Sequence, residues 1–159
     1  MKSISKVILL CTTYIMELGI VSASPNPIPL NYTASEKECM ALAVYGEARG
    51  ESKIGQLLVI EVINNRRMSN KYPNHVCDVI KQRRQFSFWG GVYKAPKNKR
   101  VYKDIQKIIN LYLSARWGYG VTGLSKGSMW YHADYIKPKW AKNLKQVWYV
   151  GRHIFYKQL

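Results

Sequence analysis

The run Gly46-Glu47-Ala48-Arg49-Gly50-Glu51 places a carboxyl at the end of an apolar helical stretch, where the chain must turn. Apolar and aromatic walls disfavour the charged form of a carboxyl. A glycosidase general acid needs such a setting, because it must hold a proton near neutral pH. The same position suits a plainer role, an ion pair between Glu47 and Arg49 that fixes the turn, and position alone does not choose between them. The other carboxylates divide readily. Glu36, Glu38 and Asp104 fall on helix starts or exposed faces, and Asp78 sits in a first helical turn, where the helix dipole accounts for it. Glu51, Glu61 and Asp134 have no such explanation. His75, His132 and His153 show no metal-ligand spacing, so no metal or other cofactor is expected. A thiol nucleophile at Cys77, two residues from His75, has no spacing rule in its favour.

Several elements must position these groups. Ser35 reads as a helix N-cap with Glu38 completing a capping box, for a helix to about Tyr45. A second helix is predicted from about Ser52 to Met68, with Ile54, Leu57, Leu58 and Val62 as its apolar set and Glu61 on its inner face. A short helix is expected over His75–Lys81 with Asn74 as cap. A loop follows over 85–98, then a long helix from about Asn98 to Trp117 that turns Val101, Ile105, Ile108, Ile109 and Tyr112 inward and ends at Gly118. Residues 118–128 carry four glycines and read as a flexible loop. The tail from Met129 to Tyr156 reads as short strands or a hairpin. The class is α+β, mostly helical.

The chain has 159 residues, with 25 Lys and Arg against 9 Asp and Glu, a formal charge of +16. Such a field favours polyanionic partners without choosing among nucleic acid, anionic lipid and cell wall. Residues 1–23 read as a signal peptide: a basic start at Lys2 and Lys6, an apolar stretch to Val21, and Val21-Ser22-Ala23 before Ser24. Glu17 interrupts that stretch, which keeps an uncleaved anchor open as the alternative. Cleavage leaves 23 basic and 8 acidic residues, a net +15. Residues 24–34, with Pro25, Pro27 and Pro29, form a linker to a domain over 35–159. Two cysteines remain beyond the leader, Cys39 and Cys77. Export favours a disulfide between them, which would contribute roughly 4 kcal/mol in the chain-entropy model. Two unpaired buried thiols are the alternative.

Between Cys39 and Arg66 the chain carries Tyr45 to Glu51, Gly55-Gln56 and Asn65-Arg66, followed by Tyr72-Pro73-Asn74 and Val76 to Ile80. Further on come Gln85-Phe86-Ser87-Phe88, Tyr131 to Tyr135, Pro138-Lys139-Trp140 and Gly151 to Phe155. In these runs the chain resembles the cell-wall hydrolase family typified by the spore cortex-lytic enzyme SleB. Order and spacing together make the match specific over about residues 36–157.

The resemblance implies a lysozyme-like, two-lobed domain with a small β-sheet or hairpin near the C-terminus. It implies cleavage of the β-1,4 bond between N-acetylmuramic acid and N-acetylglucosamine, with Glu47 as the catalytic acid. A lytic transglycosylase needs one carboxyl, because the muramoyl 6-hydroxyl attacks in place of water; most glycosidases pair two. Glu51 and Glu61 are possible assistants. Tyr131, His132, Gln85, Ser87, Phe86, Trp140 and Asp134 are candidate sugar ligands. The partners expected are peptidoglycan glycan strands and an anionic envelope, met by a secreted or periplasmic monomer. Hydrolysis by water is the alternative reaction. A basic nucleic-acid-binding protein and a non-catalytic wall-binding module are the rival classes; the first lacks any zinc-finger, helix-turn-helix or RNA-recognition signature.

Overall fold

The first helix, α1 (Ala34–Ala48), is capped by Thr33 and not by Ser35. The computed structural model describes residues 32–82, 86, 95–114 and 123–159. Thr33 Oγ1 accepts from the Glu36 backbone N–H at 3.1 Å, and the Glu36 carboxylate accepts from the Thr33 N–H at 3.0 Å. The other Glu36 oxygen accepts from the N–H of Val76 at 3.2 Å, and so caps a helix forty residues away. Burial works against the Glu36 charge. The Thr33 and Val76 N–H groups, with His75 and Arg67, outweigh it and hold the carboxyl below its ordinary range.

The remaining helices are α2 (Lys53–Met68), α3 (Val76–Lys81) and α4 (Lys99–Ser114). Ser52 caps α2, its hydroxyl accepting from Gly55 N–H at 3.3 Å. His75, not Asn74, is the residue before α3, and its side chain makes no cap bond. On α4 the inward residues Ile105, Ile109 and Tyr112 recur at helical spacing and are buried. They join Met40, Val44, Leu58, Ile60, Ile63 and Ile80 in one core. Ile54, expected inside, is 54% exposed, because it stands in the first turn of α2, clear of that core. The domain begins before residue 35: the Tyr32 hydroxyl bonds Asn64 Oδ1, and Arg67 lies over the Tyr32 ring at 4.6 Å. The Cys39–Cys77 disulfide joins α1 to α3, with Cα atoms 5.3 Å apart.

The tail forms β1 (Trp130–Ala133), a short 3-10 helix (Lys139–Asn143), β2 (Lys145–Val150) and β3 (His153–Lys157). The sheet is antiparallel with β3 in the centre, between β1 and β2. Register and strand alternation sort its side chains. Tyr131, Phe155 and Trp148 share the face that packs on the helices; His132, Ile154 and Tyr149 share the other.

Only part of the glycine-bearing segment before β1 is described, and that part departs from the flexible loop expected. The described part, 123–128, is pinned by one side of α2. Glu61 Oε2 accepts from Ser125 N–H at 2.6 Å. Asn65 Nδ2 donates to Ser125 Oγ and to the Ser128 carbonyl, both at 2.9 Å. Arg66 Nε donates to the Met129 carbonyl at 2.7 Å. Trp148 Nε1 donates to the Leu124 carbonyl at 2.6 Å. Ser125 and Ser128 are buried, so these bonds satisfy groups that have lost water.

Candidate active site

Glu47 stands in the last turn of α1 and is half-buried. The expectation ended that helix near Tyr45; its continuation to Ala48 means that Glu47 projects from a rigid element. Arg49 folds back on the same helix end. Its Nη1 makes long bonds to the carbonyls of Tyr45 and Gly46, at 3.5 and 3.4 Å, and its guanidinium lies 5.5 Å from the centre of the Tyr45 ring.

The turn behind Glu47 is clamped from α2. Gln56 Nε2 donates to the Ala48 carbonyl at 3.2 Å and to the Glu51 carbonyl at 3.4 Å. Gly55 permits the approach, since a Cβ there would lie 3.0 Å from Glu51 Cβ. Thus Gly55-Gln56, legible in the sequence only as part of a motif, holds the helix end that presents Glu47.

Glu51 reaches across to the sheet. Its Oε2 accepts from the backbone N–H of Arg152 at 3.2 Å, and Oε1 lies 3.9 Å from His153 Nδ1. Gly151, in the turn between β2 and β3, has φ +59°, a conformation that favours glycine. A Cβ at that position would fall 1.7 Å from Glu51 Oε2. Both facts require glycine there.

Tyr131 and His153 complete the cluster. The Tyr131 ring packs between His153, with centroids 5.3 Å apart, and Phe155, at 5.5 Å. Its hydroxyl oxygen is buried and meets no partner at full hydrogen-bond geometry, yet it is near enough to couple to the Glu47 carboxyl. Burial, then the Glu47 charge, push the Tyr131 phenol well above its ordinary range, so it stays protonated. Burial lowers the His153 imidazole, against the opposing pull of Glu51, Glu47 and Asp134. The group is therefore a carboxyl flanked by a protonated phenol and an imidazole biased to neutrality, with a second carboxylate bonded to the adjoining turn. It can deliver a proton to a substrate oxygen and stabilise the carboxylate left behind.

The structure separates the other sequence candidates. Glu61 is buried against Ser125 and Tyr112, where it anchors the segment leading into β1. Phe86, expected to meet sugar, is 4% exposed and sits in the core with the Arg66 guanidinium 5.7 Å from its ring centre; a buried ring offers no face to a ligand. His132, next to Tyr131 on β1, points to the opposite face of the sheet. Its Nδ1 bonds the Ala133 carbonyl at 2.8 Å and its Nε2 the Tyr156 hydroxyl at 3.0 Å. Trp140 packs edge-on to His132, and Asp134 Oδ2 accepts from the Tyr149 hydroxyl at 3.1 Å. Gln85 and Ser87 lie outside the described residues. Gln56, Gly151 and His153 had drawn no individual role from the sequence; their runs were legible, their contacts were not. Among the described residues no three His, Cys, Asp or Glu side chains gather as a metal site.

The chain is similar to several known proteins. Residues 50–156 match the family model described as Cell Wall Hydrolase; the matched segment holds Glu51, Tyr131 and His153 and begins three residues after Glu47. A spore cortex-lytic enzyme of Bacillus cereus is 35% identical over 132 residues, 82% of this chain and 47% of that protein. One from Halalkalibacterium halodurans is 31% identical, over 80% of this chain and 36% of its own length. The chain thus spans less than half the length of these curated relatives. Two solved structures are similar. The catalytic domain of the Bacillus cereus SleB protein is 33% identical with a TM-score of 0.61, over 85% of this chain and 99% of that one. The catalytic domain of the germination-specific lytic transglycosylase SleB from Bacillus anthracis is 35% identical with a TM-score of 0.61, over 82% of this chain and 100% of that one.

Proposed function

From the premise that this chain belongs to the cell wall hydrolase family, we propose that it cleaves peptidoglycan glycan strands as a lytic transglycosylase, with Glu47 as both acid and base. The observation that carries the assignment is the convergence of Glu47 with Tyr131 and His153, while Glu51 is already bonded to the Arg152 backbone. The family itself and the relatives described as cortex-lytic and transglycosylase enzymes support the reaction class.

In the reaction, protonated Glu47 gives its proton to the oxygen linking N-acetylmuramic acid to N-acetylglucosamine. The bond from that oxygen to the muramoyl anomeric carbon breaks, and the N-acetylglucosamine fragment leaves with a free hydroxyl. The muramoyl 6-hydroxyl attacks the anomeric carbon. Glu47, now a carboxylate, takes the proton of that hydroxyl and is regenerated. The product end is a 1,6-anhydro sugar. No water enters, so no second carboxylate has to position one. The protonated Tyr131 hydroxyl faces the carboxylate as it forms, and burial biases the neighbouring His153 imidazole towards its neutral form.

The substrate lies outside the cytoplasm, which accords with residues 1–23 as an export leader. The excess of positive charge serves attraction to an anionic envelope and weakens with salt. Digestion of purified sacculi followed by mass spectrometry of the fragments tests the reaction: anhydro-muramoyl ends are expected. Fragments with only reducing ends would assign water as the acceptor.

A further inference from the structure

The cleavage chemistry leaves unused the outer face of the sheet, which is rich in exposed aromatic residues. Trp140, from the 3-10 helix, packs edge-on against His132 and Tyr156, with ring centres 5.5 and 5.6 Å away, and remains 38% exposed. Tyr149 is 58% exposed; from β2 its hydroxyl reaches Asp134 at the end of β1, on the far side of the central strand. Tyr135, next to Asp134 in sequence, is 71% exposed, with the Arg152 guanidinium 5.4 Å from its ring centre. Scattered exposed aromatics need no explanation, but three in one region of the surface mark an interaction site.

Charge indicates what covers this region. From Tyr135 to the C-terminus the chain carries six Lys and Arg and not one Asp or Glu. Lys139 and Lys142, exposed on the 3-10 helix, flank Trp140. Arg152 lies at the rim between the two faces, since its backbone N–H is bonded to Glu51 beside Glu47. Asp134, just before this stretch and bonded to the Tyr149 hydroxyl, is one carboxylate among these cations, so the charge of the region stays positive. Aromatic faces suit the C–H faces of sugar rings, and an excess of cations suits carboxylates. A peptidoglycan strand offers both, as saccharide units and as the carboxylates of its peptide stems.

We propose that the outer face, formed by Tyr135, Trp140 and Tyr149 with Lys139, Lys142 and Arg152, is a second binding surface for the peptidoglycan strand, reached from the Glu47 site around the Arg152 rim. The proposal rests on the cleavage reading for its ligand, but its test does not depend on turnover. Binding is measured by co-sedimentation with sacculi freed of polyol-phosphate polymers, in a Glu47→Gln background that prevents digestion. Two further variants are compared with that parent: Trp140→Ala, and Lys139→Glu with Lys142→Glu, which leaves the rings in place. Each is expected to bind about tenfold more weakly, with its thermal unfolding transition kept; the charge variant serves if Trp140→Ala disturbs the sheet. Parental binding by the charge variant overturns the proposal. So does retention that requires the polyol-phosphate polymers, or tighter binding of single-stranded DNA that the same substitutions abolish. Whether Glu47→Gln itself still lyses sacculi is read separately and bears only on the cleavage reading.

Discussion

Glu51 accepts a hydrogen bond from the backbone N–H of Arg152, 101 residues away, and this bond joins the helix end that bears Glu47 to the hairpin that bears His153. The carboxylate is nearly buried, and its neighbour Gly151 has no room for a side chain. If Glu51 acts by positioning the site, its substitutions should separate from those of Glu47.

Glu51→Gln keeps an oxygen that can accept from Arg152 N–H and should retain a measurable share of the lytic rate. Glu51→Ala leaves that N–H without its partner and should cost about 1–3 kcal/mol of stability. Gly151→Ala should be more damaging than an ordinary surface change, since it meets both a clash and positive φ. The clash part should shrink when Glu51 is already alanine. Denaturant unfolding of the four proteins in that cycle measures the coupling; strictly additive effects would contradict the contact.

Glu61 tests the anchoring of the segment before β1. Glu61→Ala orphans the buried Ser125 N–H and should destabilise the fold by about 1–3 kcal/mol. Hydrogen exchange at residues 123–129 should quicken with it. A variant with unchanged exchange there would remove Glu61 from this role.

His153 sets a pH dependence. Its folded imidazole is lowered by burial, below the unfolded value of about 6.5. Between those two values the unfolded chain binds a proton that the folded chain does not. Stability therefore rises with pH through that window and is lost as pH falls through it, while above it this contribution has no slope. Urea unfolding between about pH 5 and pH 7 should show the slope in the parent and a shallower one in His153→Phe. Equal slopes would contradict the assignment.

The disulfide joins two helices of the core. Reduction, or Cys39→Ser with Cys77→Ser, should cost about 2–5 kcal/mol. The midpoint of thermal unfolding with and without reductant measures it, and no shift would show that the bridge contributes nothing.

The sequence disclosed the helices better than it disclosed what ties them together. Apolar spacing placed α2 and α4 within a few residues, because a buried helical face imposes its period on the chain. The capping pattern placed the start of α1 at Ser35…Glu38, whereas the box that forms is Thr33…Glu36. The register is decided by the bond from Glu36 to Val76 N–H, a contact invisible to local reading. Glu61 was legible as inward-facing, but its partner is a backbone group from a distant turn. Tyr131 and His132 entered one motif, yet strand alternation turns them to opposite faces, so adjacency in the sequence joined residues that the fold separates. The scarcity of carboxylates singled out Glu47 only as one candidate among several, and its role as the acid came from the resemblance. The roles of its neighbours His153 and Gln56 were not legible, because they are made only by the approach of α1, α2 and the β2–β3 turn.

The most direct test of Glu47 is the lysis of purified sacculi by Glu47→Gln, with Glu51→Gln beside it. Glu47→Gln cannot donate the proton and should lose at least about a hundredfold in rate, while its thermal transition stays near that of the parent and Glu51→Gln remains active. Lysis by Glu47→Gln at the parental rate, or loss confined to Glu51→Gln, would contradict Glu47 as the acid.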